Sequence, residues 1–77
     1  MTKVKMYSTP TCGYCNMAKD FLEEKGVEVE VFDVSVDEDK RKELVDKSGQ
    51  MGVPVLEIGD EIVIGFDQSR ISQLLNL

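Results

Sequence analysis

The stretch Thr11-Cys12-Gly13-Tyr14-Cys15 contains both cysteines of this 77-residue chain. The residues before it, Lys3 to Tyr7, alternate polar and apolar side chains, which is typical of a β-strand, and an amphipathic helix is predicted after it. A C-x-x-C pair at a helix start places its first sulfur beside backbone N–H groups that lack a helical acceptor, and these favour the thiolate. We therefore interpret Cys12 and Cys15 as a redox-active dithiol.

The helix that follows is predicted from apolar residues spaced at i, i+3, i+4, i+7 and i+8. Lys25 and Gly26 mark its end. We expect the stripe to face the core, and it consists of Tyr14, Met17, Ala18, Phe21 and Leu22.

The middle of the chain contains a second strand and a second helix. Residues 27–31 alternate valine with glutamate, which predicts a strand that ends near Asp33. The helix begins at a cap on Ser35 or Asp37, and its first turn is acidic. Its predicted core contacts are few, chiefly Leu44 and Val45.

The last third of the chain predicts a β-hairpin and a final helix. Residues 53–58 and 61–64 are apolar runs on either side of a Gly-Asp turn. The final helix begins at Asp67 or Ser69, and its inward side chains are predicted to be Ile71, Leu74, Leu75 and Leu77.

The resulting element order is β-α-β-α-β-β-α, in one domain that spans residues 1–77. A strand, a crossover helix and a second strand of this length form a right-handed unit, so the first two strands are predicted to be parallel. The hairpin adds an antiparallel pair. We expect an α/β protein with a four-stranded mixed sheet flanked by three helices.

Composition narrows the function classes. The formal net charge of -6 disfavours nucleic acid and anionic membranes as partners. No apolar run approaches the roughly 18 residues of a membrane span. Two cysteines are too few for a disulfide framework, and without histidine they leave a zinc site incomplete. We expect a cytoplasmic monomer with reduced thiols and no bound metal.

The C-x-x-C motif, together with Gly52-Val53-Pro54 and Gly65-Phe66, resembles the glutaredoxins of the thioredoxin superfamily over essentially the whole chain. The resemblance implies a thioredoxin-like fold and thiol-disulfide oxidoreductase activity in redox homeostasis. Cys12 would attack a disulfide and Cys15 would resolve the mixed disulfide. The lower accessibility expected for Cys15 leads to the same assignment. The resemblance also implies that Pro54 is cis and faces the dithiol, with the backbone before it pairing with substrate.

The resemblance further implies contacts to substrate or glutathione from Thr11, Tyr14, Val53, Pro54, Gly65, Phe66, Asp67 and Gln68. Glutathione is thus a candidate co-substrate, and no bound cofactor is expected. The substrates implied are disulfide-containing proteins or glutathionylated molecules.

Three residues differ from the pattern of glutathione-dependent members, so the electron donor stays open between glutathione and thioredoxin reductase. Thr9 supplies no cation, Phe66 replaces a second glycine, and Ser69 stands where an acid is usual in glutathione-dependent members. Gly65-Phe66 is instead similar to the redoxins that take electrons from thioredoxin reductase and serve ribonucleotide reductase. Those redoxins usually continue with a basic residue and proline, whereas this chain continues with Asp67-Gln68, so this match is also incomplete. Since the chain has no histidine, thiolate formation must rest on the helix terminus, backbone N–H groups, and Lys5 or Lys19.

Two alternatives from other classes accompany this interpretation. In the first, two subunits hold a [2Fe-2S] cluster through Cys12 and two glutathiones, an alternative suggested by Gly13, which stands where many dithiol members have proline. In the second, the chain is an inactive redoxin fold used for protein contact.

Overall fold

The structure is a computed structural model that describes residues 3–77. It has the predicted order of strands and helices: β1 (Val4–Ser8), α1 (Gly13–Glu24), β2 (Val29–Asp33), α2 (Glu38–Ser48), β3 (Val55–Ile58), β4 (Glu61–Ile64) and α3 (Gln68–Leu75). Across these residues, none of the helices is both long and apolar enough to cross a membrane.

The sheet has the strand order β2-β1-β3-β4. β1 and β2 are parallel, as predicted for strands joined by a crossover helix, and the other pairs are antiparallel. Tyr7 lies opposite Val55, which in turn lies opposite Ile64. As a result, the segments 9–12, 49–54 and 65–67 all meet at one end of the sheet.

The two faces of the sheet bury different clusters. Val4 and Met6 point to the face covered by α1 and α3, where they pack with Leu22 and Ile71. Tyr7 points to the opposite face, which α2 covers, and packs there with Leu44. This is the predicted alternation along β1, and it follows from the period-two geometry of a strand.

The predicted apolar stripe of α1 is wrong at its N-terminal end. Tyr14 and Met17 are 66% and 53% exposed, whereas Cys15, Ala18 and Leu22 are buried. Cysteine behaves as a small hydrophobic residue and takes the buried position in the first turn. The stripe that faces the sheet is therefore rotated away from Tyr14 and Met17.

Two other predicted core residues are also largely exposed. Val45 is 37% exposed, so only Leu44 of α2 is buried. Leu77 is 50% exposed because Asn76, with a φ of 58°, ends α3 in the left-handed conformation before it.

Strand β3 begins at Val55, two residues later than predicted, since Pro54 lacks an N–H to donate to a neighbouring strand.

Candidate active site

Cys12 is the N-cap residue of α1. Its backbone is extended, with φ -87° and ψ 107°, and its Sγ accepts the Cys15 N–H at 3.1 Å. Its carbonyl accepts the Asn16 N–H at 3.3 Å, which begins the helical ladder. A backbone donor of the helix start thus points at the sulfur, where it would stabilise a negative charge in the reduced protein.

The two sulfurs differ in accessibility. Cys12 is half-buried, whereas Cys15 is only 2% exposed and belongs to the core cluster beneath α1. The two residues are joined by a disulfide, with their Cα atoms 5.2 Å apart. An external sulfur would therefore reach Cys12 more readily than Cys15.

The predicted contribution of Lys5 to thiolate formation is wrong. Strand alternation places its side chain on the face of Tyr7, opposite the face on which α1 packs. Lys19 is exposed in the second turn of α1. The helix terminus and its N–H groups are therefore the stabilising features that the structure places at Cys12.

The Val53–Pro54 peptide bond is cis, as the resemblance implied. Pro54 is buried, and its carbonyl accepts the Gly65 N–H at 2.8 Å, which links the segment before β3 to the segment after β4. Val53 packs against the same core cluster as Cys12 and Phe66. The structure therefore gathers the segments of Cys12, Val53, Pro54 and Gly65 at one end of the sheet.

Two predicted binding residues of the dithiol loop face solvent. Thr11 is exposed, and Tyr14 is the most exposed aromatic side chain in the part of the chain that the structure describes. Because Tyr14 contributes little to the core, a structural role does not explain an aromatic residue there. Its position between the cysteines leaves the ring available to a bound substrate.

The predicted binding residues after β4 have clear structural roles. The Phe66 ring packs edge-on against Phe21, with centroids 5.8 Å apart. The Asp67 carboxylate caps α3 by accepting the Arg70 N–H at 3.1 Å, and Gln68 is the exposed first residue of that helix. A negative charge of the protein itself therefore occupies the start of α3.

Comparison with known proteins adds to this geometry. The glutaredoxin family model matches residues 4–63. The chain belongs to the glutaredoxin family. It is 38% identical over 72 residues to an uncharacterised glutaredoxin-like 8.6 kDa protein in the rubredoxin operon of Clostridium pasteurianum, covering 94% of this chain and 96% of that protein. It is 34% identical over 67 residues to glutaredoxin 3 of Escherichia coli K12, covering 87% and 81%.

The fold comparison agrees. The crystal structure of a glutaredoxin from Archaeoglobus fulgidus matches with a TM-score of 0.88 at 28% identity, covering 100% of this chain and 89% of that one. The thioredoxin-like fold predicted from the sequence is thereby confirmed. In a glutaredoxin, a Cys12–Cys15 pair at the start of α1 fits thiol-disulfide oxidoreductase chemistry.

Two further features of the structure were not predicted from the sequence. Gln50 folds back onto the main chain of Gly52, in the segment that leads to Pro54. A surface cavity of about 300 Å³ lies beside α2, lined by Arg41, Lys42, Val45, Asp46 and Met51. The glycine at position 52 could have indicated a close contact such as that with Gln50, but nothing in the sequence pattern indicated the cavity beside α2.

Between Lys3 and Leu77, no group of three or more histidine, cysteine, aspartate or glutamate side chains is arranged to hold a metal ion. A cluster held through Cys12 would therefore need ligands from outside this chain.

Proposed function

We propose that this glutaredoxin reduces protein disulfides and mixed disulfides, with Cys12 as the nucleophile and Cys15 as the resolving thiol. The observation that carries the proposal is the asymmetry of the pair. The Sγ of half-buried Cys12 accepts an N–H at the start of α1, while Cys15 is only 2% exposed. The thiolate is the attacking species in disulfide exchange, so the accessible and stabilised sulfur attacks first.

The proposed reaction transfers two electrons from the dithiol to the substrate. The Cys12 thiolate attacks one substrate sulfur, a mixed disulfide forms, and the other sulfur leaves as a thiolate that takes up a proton. Cys15 then loses its proton and attacks Cys12 Sγ, which expels the remaining substrate thiolate. The Cys12–Cys15 disulfide seen in the structure is the product, and an external dithiol or thiol donor must reduce it again.

We infer that a protein reductase of the thioredoxin reductase class is a better donor than glutathione. Thr9 offers no cation beside the dithiol, and the Asp67 carboxylate would repel a ligand carboxylate at the start of α3. Arg41 and Lys42 line the cavity beside α2 together with Met51, which is three residues before Pro54. Their charges would attract a carboxylate of glutathione, but they do not remove the repulsion by Asp67.

A coupled assay tests both statements. NADPH consumption is followed with a peptide disulfide as substrate, using glutathione plus glutathione reductase in one arm and thioredoxin reductase in the other. We expect faster turnover in the second arm, and no turnover by Cys12→Ser in either. Equal or faster turnover with glutathione would contradict the inferred donor, and an inactive wild-type protein in both arms would contradict the proposed function.

A further inference from the structure

The side-chain amide of Gln50 contacts both main-chain polar groups of Gly52. Gln50 Oε1 accepts the Gly52 N–H at 2.5 Å, and Gln50 Nε2 donates to the Gly52 carbonyl at 3.1 Å. Nε2 also lies 3.4 Å from Ser48 Oγ, at the end of α2. One side chain thus fixes the segment that connects α2 to Pro54.

A side chain at position 52 would displace the end of the Gln50 side chain. A Cβ atom on Gly52 would lie 2.7 Å from Gln50 Oε1, which is closer than such atoms approach. The φ of Gly52 is not positive, so its backbone conformation alone does not exclude alanine. The Gln50 side chain and the main chain of Gly52 therefore occupy adjoining space, and a change at either position affects the other.

Within residues 3–77, the main-chain N–H and carbonyl of Val53 have no hydrogen-bond partner. Those of Gly52, by contrast, are both taken by Gln50. Val53 is half-buried and packs against the same core cluster as Cys12. The N–H and carbonyl of Val53 are therefore free to form hydrogen bonds with the main chain of an extended polypeptide.

We propose that Gln50 is a positioning residue that holds the Val53 main chain in the orientation that pairs with an extended polypeptide carrying the target disulfide. This inference rests on the proposed function. A polypeptide substrate would depend on Gln50, because its main chain would pair with the Val53 main chain that Gln50 helps to position. A small disulfide such as hydroxyethyl disulfide has no main chain and would not depend on it.

Steady-state kinetics with two substrates test the proposal. The substrates are an extended peptide disulfide and hydroxyethyl disulfide, and the variants are Gln50→Ala, Gly52→Ala and the double substitution. Gln50→Ala should raise the KM for the peptide roughly fivefold, corresponding to the loss of about one hydrogen bond, with kcat unchanged. The rate with hydroxyethyl disulfide should stay at the wild-type value, and Gln73→Ala, an exposed glutamine in α3, serves as the matched control.

The double variant gives the sharper result. Gly52→Ala should raise the peptide KM by displacing the Gln50 amide, so it should add nothing once Gln50 is alanine. If the effects of the two substitutions on the peptide KM add in the double variant, Gly52→Ala does not act through Gln50 and the proposal is overturned. Equal losses with both substrates would show a merely structural role and overturn the positioning role. If the wild-type protein reduces neither disulfide, the proposed function fails and this inference fails with it.

Discussion

Cys12 and Cys15 are three residues apart, yet their environments differ because one precedes the first helical turn and the other lies within it. The start of α1 directs an N–H at the Cys12 sulfur, while the packing of α1 on the sheet buries Cys15. The same helix therefore directs a hydrogen-bond donor to the first sulfur and buries the second. This division of roles needs no histidine, and the chain contains none.

The first prediction concerns the order in which the reduced cysteines are alkylated. Iodoacetamide should modify Cys12 before Cys15, with a half-maximal rate at a pH below the value of about 8.5 that is typical of a free cysteine. Mass spectrometry of peptides after short exposures at several pH values measures both properties. Preferential modification of Cys15, or a midpoint at or above the free-cysteine value, would contradict the stabilisation of Cys12 by the helix start.

Tyr14 is predicted to matter for substrate binding and not for folding. The ring is 66% exposed, so Tyr14→Ala should change the free energy of unfolding by less than about 0.5 kcal/mol. We expect the KM for a peptide disulfide to rise severalfold. Phe21→Ala is the contrasting variant. Phe21 packs against Phe66, so removing its ring should lower the free energy of unfolding. A marked drop in the stability of Tyr14→Ala would show that its role is structural.

At the scale of secondary-structure elements, α2 depends on polar contacts to stay on the sheet. Leu44 is its only buried residue. Lys47 donates to Glu57 of β3 at 2.6 Å and lies 3.4 Å from the Tyr7 hydroxyl, which donates to Glu43 at 3.1 Å. A weakly apolar helix is thereby attached to the sheet through charged groups.

The pKa directions in this network indicate the pH range in which it contributes. Hydrogen bonding by Lys40 lowers the pKa of Glu43 from 4.5, so the contribution of Glu43 is present above that pH and is lost as pH falls through the folded value. Burial raises the pKa of Tyr7 from 10.0, and hydrogen bonding to Glu57 raises that of Lys47 from 10.5. Those contributions are present at lower pH and are lost as pH rises through the folded values.

Replacing Lys47 tests whether the network attaches α2. Lys47→Met should lower the free energy of unfolding by about 1 kcal/mol, a value reduced for partial exposure. Lys42→Met is the matched control, since Lys42 is an exposed lysine of the same helix, and it should change stability little. Urea denaturation at pH 7 measures both variants. Equal effects of the two substitutions would contradict the attachment of α2 through Lys47.

The sequence predicted the elements well because their apolar periods are local properties of the chain. It misplaced Tyr14 and Val45 because burial depends on which helix face the sheet covers, and that is decided by packing between elements. The dithiol was evident since its two residues are adjacent to a helix start. Gln50 was missed because its role depends on a loop that folds back on itself, which no periodic pattern records.

At the scale of the whole molecule, the formal net charge of -6 should influence which disulfides react fastest. An acidic protein attracts cations through its overall field, and salt screens that attraction. We expect the cationic disulfide cystamine to react faster than neutral hydroxyethyl disulfide at low salt, with the ratio falling as salt is added. Stopped-flow measurements across a salt series test this prediction. A ratio that does not change with salt would show that the net charge has no influence on the encounter.

Trapping of the mixed disulfide shows which cysteine attacks the substrate and which one resolves. The reduced Cys15→Ser and Cys12→Ser variants are mixed with a peptide disulfide, and intact mass followed by peptide mapping locates the adduct. If Cys12 is the nucleophile, a stable adduct is expected on Cys12 in Cys15→Ser, and little or none in Cys12→Ser. An adduct that forms mainly on Cys15, or no adduct in either variant, would contradict this assignment.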